Sequence, residues 1–176
     1  MANKGSMFYA EGMNAISTLP AIHRLTVVRA SSRDGLALFD VIAELALEGP
    51  LRVLDGGNCI NVYPLARALR RRTTALGDAL RNVRLSRAFT CYQMLELLER
   101  TPADGIPTLV LDLLATFYDE SVPLYESQRL LRLALLELLR LRAAGPLTVS
   151  ARPPGKLAVN RQPLYEMLLS AAEALQ

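Results

Sequence analysis

The chain has 176 residues, 51% of them hydrophobic and 21% charged, with a formal net charge of +3. That length and composition build one well-buried domain and leave little room for a second. The charge excess is too small to demand an anionic partner, and two cysteines with one histidine, His23, provide no ligand spacing for a zinc site.

The N-terminal stretch "MANKGSMFYAEG" lacks the apolar core of a signal peptide. The leucine-rich run over 130–141 is broken by Arg132, Glu137 and Arg140, so no membrane span is expected. A cytoplasmic location follows as the expectation, with Cys59 and Cys91 as reduced, buried thiols. Residues 1–18 are read as an N-terminal segment, expected to be disordered, ahead of one domain over 19–176.

"LTVVRA" at 25–30 is a short apolar, β-branched run that hands over to the Ser/Asp/Gly-rich "SSRDG", a strand followed by a turn. From Leu36 to Glu48 the polar residues Asp40, Glu44 and Glu48 recur every four positions, which predicts a mostly buried helix with a narrow acidic stripe. "GP" at 49–50 ends it, and "LRVLD" at 51–55 reads as the second strand. Asn61 and Pro64 suit the first turn of a helix running to Arg72. "NVRLSRAF" at 82–89 is the third strand, and Thr90 with Gln93 has capping-box spacing ahead of "MLELL". "TLVLDLLATF" at 108–117, apolar on both faces, predicts a central strand of a covered parallel sheet. A long helix over 124–144 follows, then a fifth strand, "LTVSAR", which "PPG" turns towards "KLAVNR" to pair as an edge hairpin. Apolar residues at Leu164, Met167, Leu168, Ala171 and Leu175 have the spacing of a last helix. Strands alternating with helices imply a three-layer α/β domain.

The order of these motifs resembles the ATPase core of the RecA/RadA recombinase family, which also includes KaiC-like proteins. "NVRLSRAFTCYQMLELL" is similar to that family's "NVxxARAFNxxHQxxLL", and "TLVLDLLATFYD" to its Walker B strand. "RVLDGGNCINVYPLARAL" looks like the strand ending in Asp-Thr-Glu with the arginine-rich helix beyond, and "ESQRLLRLALLELLRL" like the later helix. The resemblance covers residues 19–152 and implies a RecA-like P-loop NTPase fold. That fold has a mostly parallel central sheet, helices on both faces and, here, an edge β-hairpin near the C-terminus.

The resemblance also shows where the motor has been lost. The phosphate-loop position holds Ser31, Ser32, Arg33, Asp34 and Gly35, followed by Leu36 and Ala37 where the family has its lysine and hydroxyl. Asp34 puts a negative charge where phosphate would lie. The family's activating glutamate falls on Gly57, and its γ-phosphate-sensing glutamine falls near Arg152. Only the Walker B acid is kept, as Asp112, which would hold a metal or cap the following turn. No ATPase activity, cofactor or metal is therefore expected; the alternative left open is weak nucleotide binding, with Arg33 in place of the lysine and N–H donors at the helix start near Gly35.

Arg67, Arg70, Arg71 and Arg72 form a basic cluster that suits a phosphate backbone or a solvated helix face. No aromatic residue is read as interleaved with it. In the family, one DNA-contacting loop maps to the acidic "YDESVPLYES" and another to the short basic segment carrying Arg152, Lys156 and Arg161. On the long helix, Leu133 and Leu136 fall within the polar arc of Arg129, Arg132 and Arg140, the pattern of a partner-binding patch. The implied function is that of a non-catalytic recombinase paralogue working in DNA recombination or repair through DNA, a protein partner or a homo-oligomer. The other reading is a protein-interaction module without nucleic-acid binding, like the SulA-like cell-division inhibitors or the ATPase-dead ring subunits of Elongator.

Overall fold

The structure, a computed structural model, describes residues 25–29, 35–156 and 158–173. The N-terminal segment over 1–18, His23 and the loop residues Ser31, Ser32, Arg33 and Asp34 lie outside the described residues. Strands β1 (Leu25–Arg29), β2 (Leu51–Asp55), β3 (Val83–Arg87), β4 (Thr108–Leu111) and β5 (Leu147–Ala151) alternate with six α-helices. These are α1 (Gly35–Glu48), α2 (Val62–Arg70), α3 (Leu76–Asn82), α4 (Cys91–Arg100), α5 (Leu124–Ala144) and α6 (Gln162–Glu173).

The five strands lie in the order β1-β5-β4-β2-β3, and every described pairing is parallel. Alternation along the strands divides the core in two. Leu54, Val110 and Val149 form a register row that packs under α4, α5 and α6. Leu51, Val53, Leu109 and Leu111 face α1, α2 and α3 on the other side. Strand β4 is buried at all four positions, as a strand covered on both faces must be. The domain is therefore an α/β sandwich of three layers.

Local chemistry sets the helix starts. The Asn61 side chain accepts from the Tyr63 N–H at 3.0 Å, and the Thr90 hydroxyl accepts from the Gln93 N–H at 3.1 Å. Gln93 Oε1 reaches back to accept from the Phe89 N–H at 2.9 Å, one residue before the partner a capping box would use.

Three expectations need correction. The fourth strand stops at Leu111 rather than Phe117, because Asp112 takes the left-handed conformation (φ 49°, ψ 51°) and Leu113–Tyr118 wind into a 3-10 helix. A short helix, α3, precedes the third strand, and α2 ends at Arg70 rather than Arg72. The C-terminal edge hairpin does not form. Strand β5 lies between β1 and β4, so both of its hydrogen-bonding edges are taken, and Val159–Arg161 form a 3-10 turn leading into α6.

Candidate functional site

Helix α2 covers one face of the sheet and α5 the other, so the chain leaves the adjacent strands β2 and β4 towards opposite faces. In parallel α/β sheets the carboxyl ends of two such strands border the usual ligand crevice. Here that boundary is filled by the protein's own side chains.

Asp55, ending β2, is fully buried. Its Oδ1 accepts from the Cys59 N–H at 2.8 Å, and its Oδ2 accepts from the Ile60 N–H at 3.0 Å and from Arg87 Nε at 3.3 Å. These bonds fold residues 56–60 into a fixed loop ahead of α2.

Asp112, beyond β4, is 2% exposed. Its N–H donates to Ser150 Oγ at 2.8 Å, and its Oδ2 accepts from Arg152 Nε at 2.8 Å and from Arg152 Nη2. Oδ1 is buried with no partner, and the side chain makes no capping bond to the helical turn that follows. The expected cap is therefore replaced by an ion pair across two strand ends.

Gly57 packs against this pair. A Cβ at Gly57 would lie 2.5 Å from Asp112 Oδ2, 2.6 Å from Asp112 Cβ and 2.8 Å from Cys59 Sγ. With Asp112 in place, position 57 has no room for a side chain. Burial, reinforced by the carboxylates of Asp55 and Asp112, pushes the Cys59 thiol up from its ordinary 9.0 to about 11. Cys59 is thus a neutral thiol rather than a nucleophile at physiological pH. Tyr118 closes the site by donating its hydroxyl to the Arg152 carbonyl at 2.7 Å, and burial raises its pKa. Among the described residues, no three or more His, Cys, Asp and Glu side chains group to hold a metal ion.

The basic residues separate into different roles. Arg161 is 2% exposed, and its Nη2 donates to the carbonyls of Asp119 at 2.8 Å and Val122 at 2.6 Å. This places it in the core, away from the expected basic surface. Lys156 sits on an exposed turn. Arg140 donates to Glu137 at 2.6 Å and to the carbonyls of Leu98 and Thr101 at 2.9 Å, tying α5 to the end of α4. Arg129 pairs with Glu126 at 2.8 Å, while Arg132 is exposed. Leu133 and Leu136 are 37% and 60% exposed beside these charges.

Arg67 and Arg70 are exposed on α2, and Arg71 and Arg72 follow at its end. Arg71 and Arg72 pair with Asp40 at 2.8 and 2.9 Å, and Arg72 also reaches Glu44 at 3.3 Å. The acidic stripe of α1 thus neutralises half of the cluster. The expectation that no aromatic accompanies these arginines is corrected. Tyr63, 86% exposed, shares a cleft of about 420 Å³ with Arg67 and Arg71. Its i, i+4 spacing to Arg67 follows from the helix expected from Asn61 onward, but its exposure beside Arg67 and Arg71 does not.

Sequence reasoning did not single out Asp55, Arg87, Ser150 or Tyr118. Their long-range partners lie 32 to 38 residues away, where local patterns carry no signal. No protein-family model and no curated protein sequence matches this chain. No helix among the described residues is long and apolar enough to cross a membrane.

Proposed function

We propose that the chain is a non-catalytic protein on a RecA-like core, acting in DNA recombination or repair by binding DNA, a protein partner or both. The observation that carries this reading is the Asp112–Arg152 pair with Gly57 packed against it. An arginine of the same chain occupies the acid that would attend a nucleotide's metal, and the neighbouring position has no space for a water-activating carboxylate. The parallel pairing of all described strands, in keeping with the mostly parallel sheet that the resemblance implies, also supports the reading.

Two measurements test it. ATP turnover by the purified chain is expected to stay at the buffer rate, and millimolar Mg-ATP is expected to leave the melting temperature unchanged. Gly57→Glu, which installs the family's carboxylate, is expected to lower the melting temperature without creating turnover. Turnover by the unmodified chain that disappears in Asp112→Asn would overturn the reading.

The exposed Leu133 and Leu136, with Tyr125 at 73% exposure on the same helix, favour the second reading, a protein-interaction module without nucleic-acid binding. A stable dimer or ring whose mass is unchanged by nucleic acid, measured by light scattering, would select it.

A further inference from the structure

The cleft between α1 and α2 lies away from the Asp112–Arg152 pair and has its own chemistry. Phe39 and Ala68, both buried, form an apolar floor. Tyr63, Arg67 and Arg71 line it at intervals of four residues on α2 and its end, so they stand one above another, about 6 Å of helix rise apart.

Tyr63 holds its ring almost wholly in solvent, although burying a ring of that size is favourable. Among the described residues, neither Arg67 nor Arg70 has an ion-pair partner. Two carboxylates of α1, Asp40, which also lines the cleft, and Glu44, are engaged by Arg71 and Arg72. Positive charge is therefore in excess along the wall that carries the aromatic ring.

We propose that this cleft binds single-stranded nucleic acid, with phosphates on Arg67 and Arg71 and a base stacked on Tyr63. Guanidinium groups bind phosphate through paired, charge-assisted hydrogen bonds. An exposed ring beside them takes an unstacked base, which a duplex does not offer and an acidic peptide does not possess. The proposal gives the binding-protein reading its partner and rests on that reading. ATP turnover tests the parent reading without involving the cleft, so the two can fail separately.

The test is fluorescence anisotropy of a labelled oligothymidylate at low salt, using the full chain. Binding is expected, with affinity falling as salt rises by a log–log slope of about 0.7 per phosphate contact. Arg67→Glu should weaken binding at least tenfold and flatten the slope by about 0.7. Tyr63→Ala should weaken it about 5- to 150-fold, with Tyr63→Phe retaining most of the affinity. Asp40→Asn, which frees Arg71, should tighten it. Exposure of Tyr63 and Arg67 keeps these changes compatible with folding, which circular dichroism checks. The proposal is overturned by no anisotropy change at low salt, or by an Arg84→Glu loss equal to that of Arg67→Glu. Competition by polyglutamate as strong as by unlabelled oligonucleotide, with Tyr63→Ala silent, also overturns it and assigns the surface to an acidic protein.

Discussion

Arg152 turns its charge inward. Its side chain is 47% exposed while Asp112 is 2% exposed, so water screens one end of the pair and leaves the other dependent on it. Arg152→Met is therefore expected to cost about 1–2 kcal/mol in urea unfolding, below the 3–5 typical of a fully buried pair. Asp112→Ala combined with Arg152→Met should cost less than the sum of the single changes, because the second loss leaves no stranded charge. Additive costs would show that the pair is not coupled. Cys59 gives a pH test at the same place. Its folded pKa, about 11, lies above the thiol's ordinary 9.0. The unfolded chain thus loses this proton first, and stability is full below about pH 9 and falls as pH rises through 11. Alkylation of Cys59 in the native protein should be slow at pH 8 and accelerate towards pH 11. A rate that levels off near pH 9 would contradict the half-buried placement of Cys59, which, unlike Cys91, is not the fully buried thiol expected from the sequence. In the sequence Asp112 stood out as a preserved acid, whereas its bond to Arg152 did not, since a pairing across 40 residues is decided by strand order rather than local pattern.

At the scale of elements, hydrophobic period and turn residues located most of the structure. The long helix over 124–144 and the fifth strand lie where the periodicity puts them, because "GP" at 145–146 punctuates them sharply. The fourth strand was overrun because "LLATFY" is apolar enough for a strand, and only the left-handed Asp112 tells the chain to wind instead. Arg161 was misplaced for a related reason. An arginine in a basic stretch looks solvent-bound, yet the 3-10 turn over Val159–Arg161 aims it at the carbonyls before α5. Arg161→Met is expected to destabilise the domain by about 2–4 kcal/mol, since the carbonyls of Asp119 and Val122 lose their charged donor. Arg161→Lys should recover only part, because one ammonium nitrogen can replace Nη2 at the two carbonyls but not Nη1 beside Ser127 Oγ, 3.4 Å away. A melting temperature unchanged in Arg161→Met would rule out this role.

At the scale of the whole molecule, the layers and the parallel sheet were legible from alternating strands and helices, while the order of the strands was not. Strand β4 is flanked on both edges and buried on both faces, and among the described residues β3 has only β2 beside it. Native-state hydrogen exchange should therefore find β4 amides opening only with global unfolding and β3 amides opening locally at lower free energy. Equal protection in the two strands would contradict this hierarchy. The strand order also bears on synthesis. Among the described residues strand β1 pairs with β5 alone, and their partnered residues, such as Val27 and Val149, lie far apart in the chain. On a ribosome β1 must therefore wait for β5 until residues 147–151 have emerged. The β2-β3-β4 segment can meanwhile pair as it is made. A nascent chain of this kind offers its earliest strand to chaperones or to neighbouring polysomes for most of its translation time, and the last strand to appear ends that exposure.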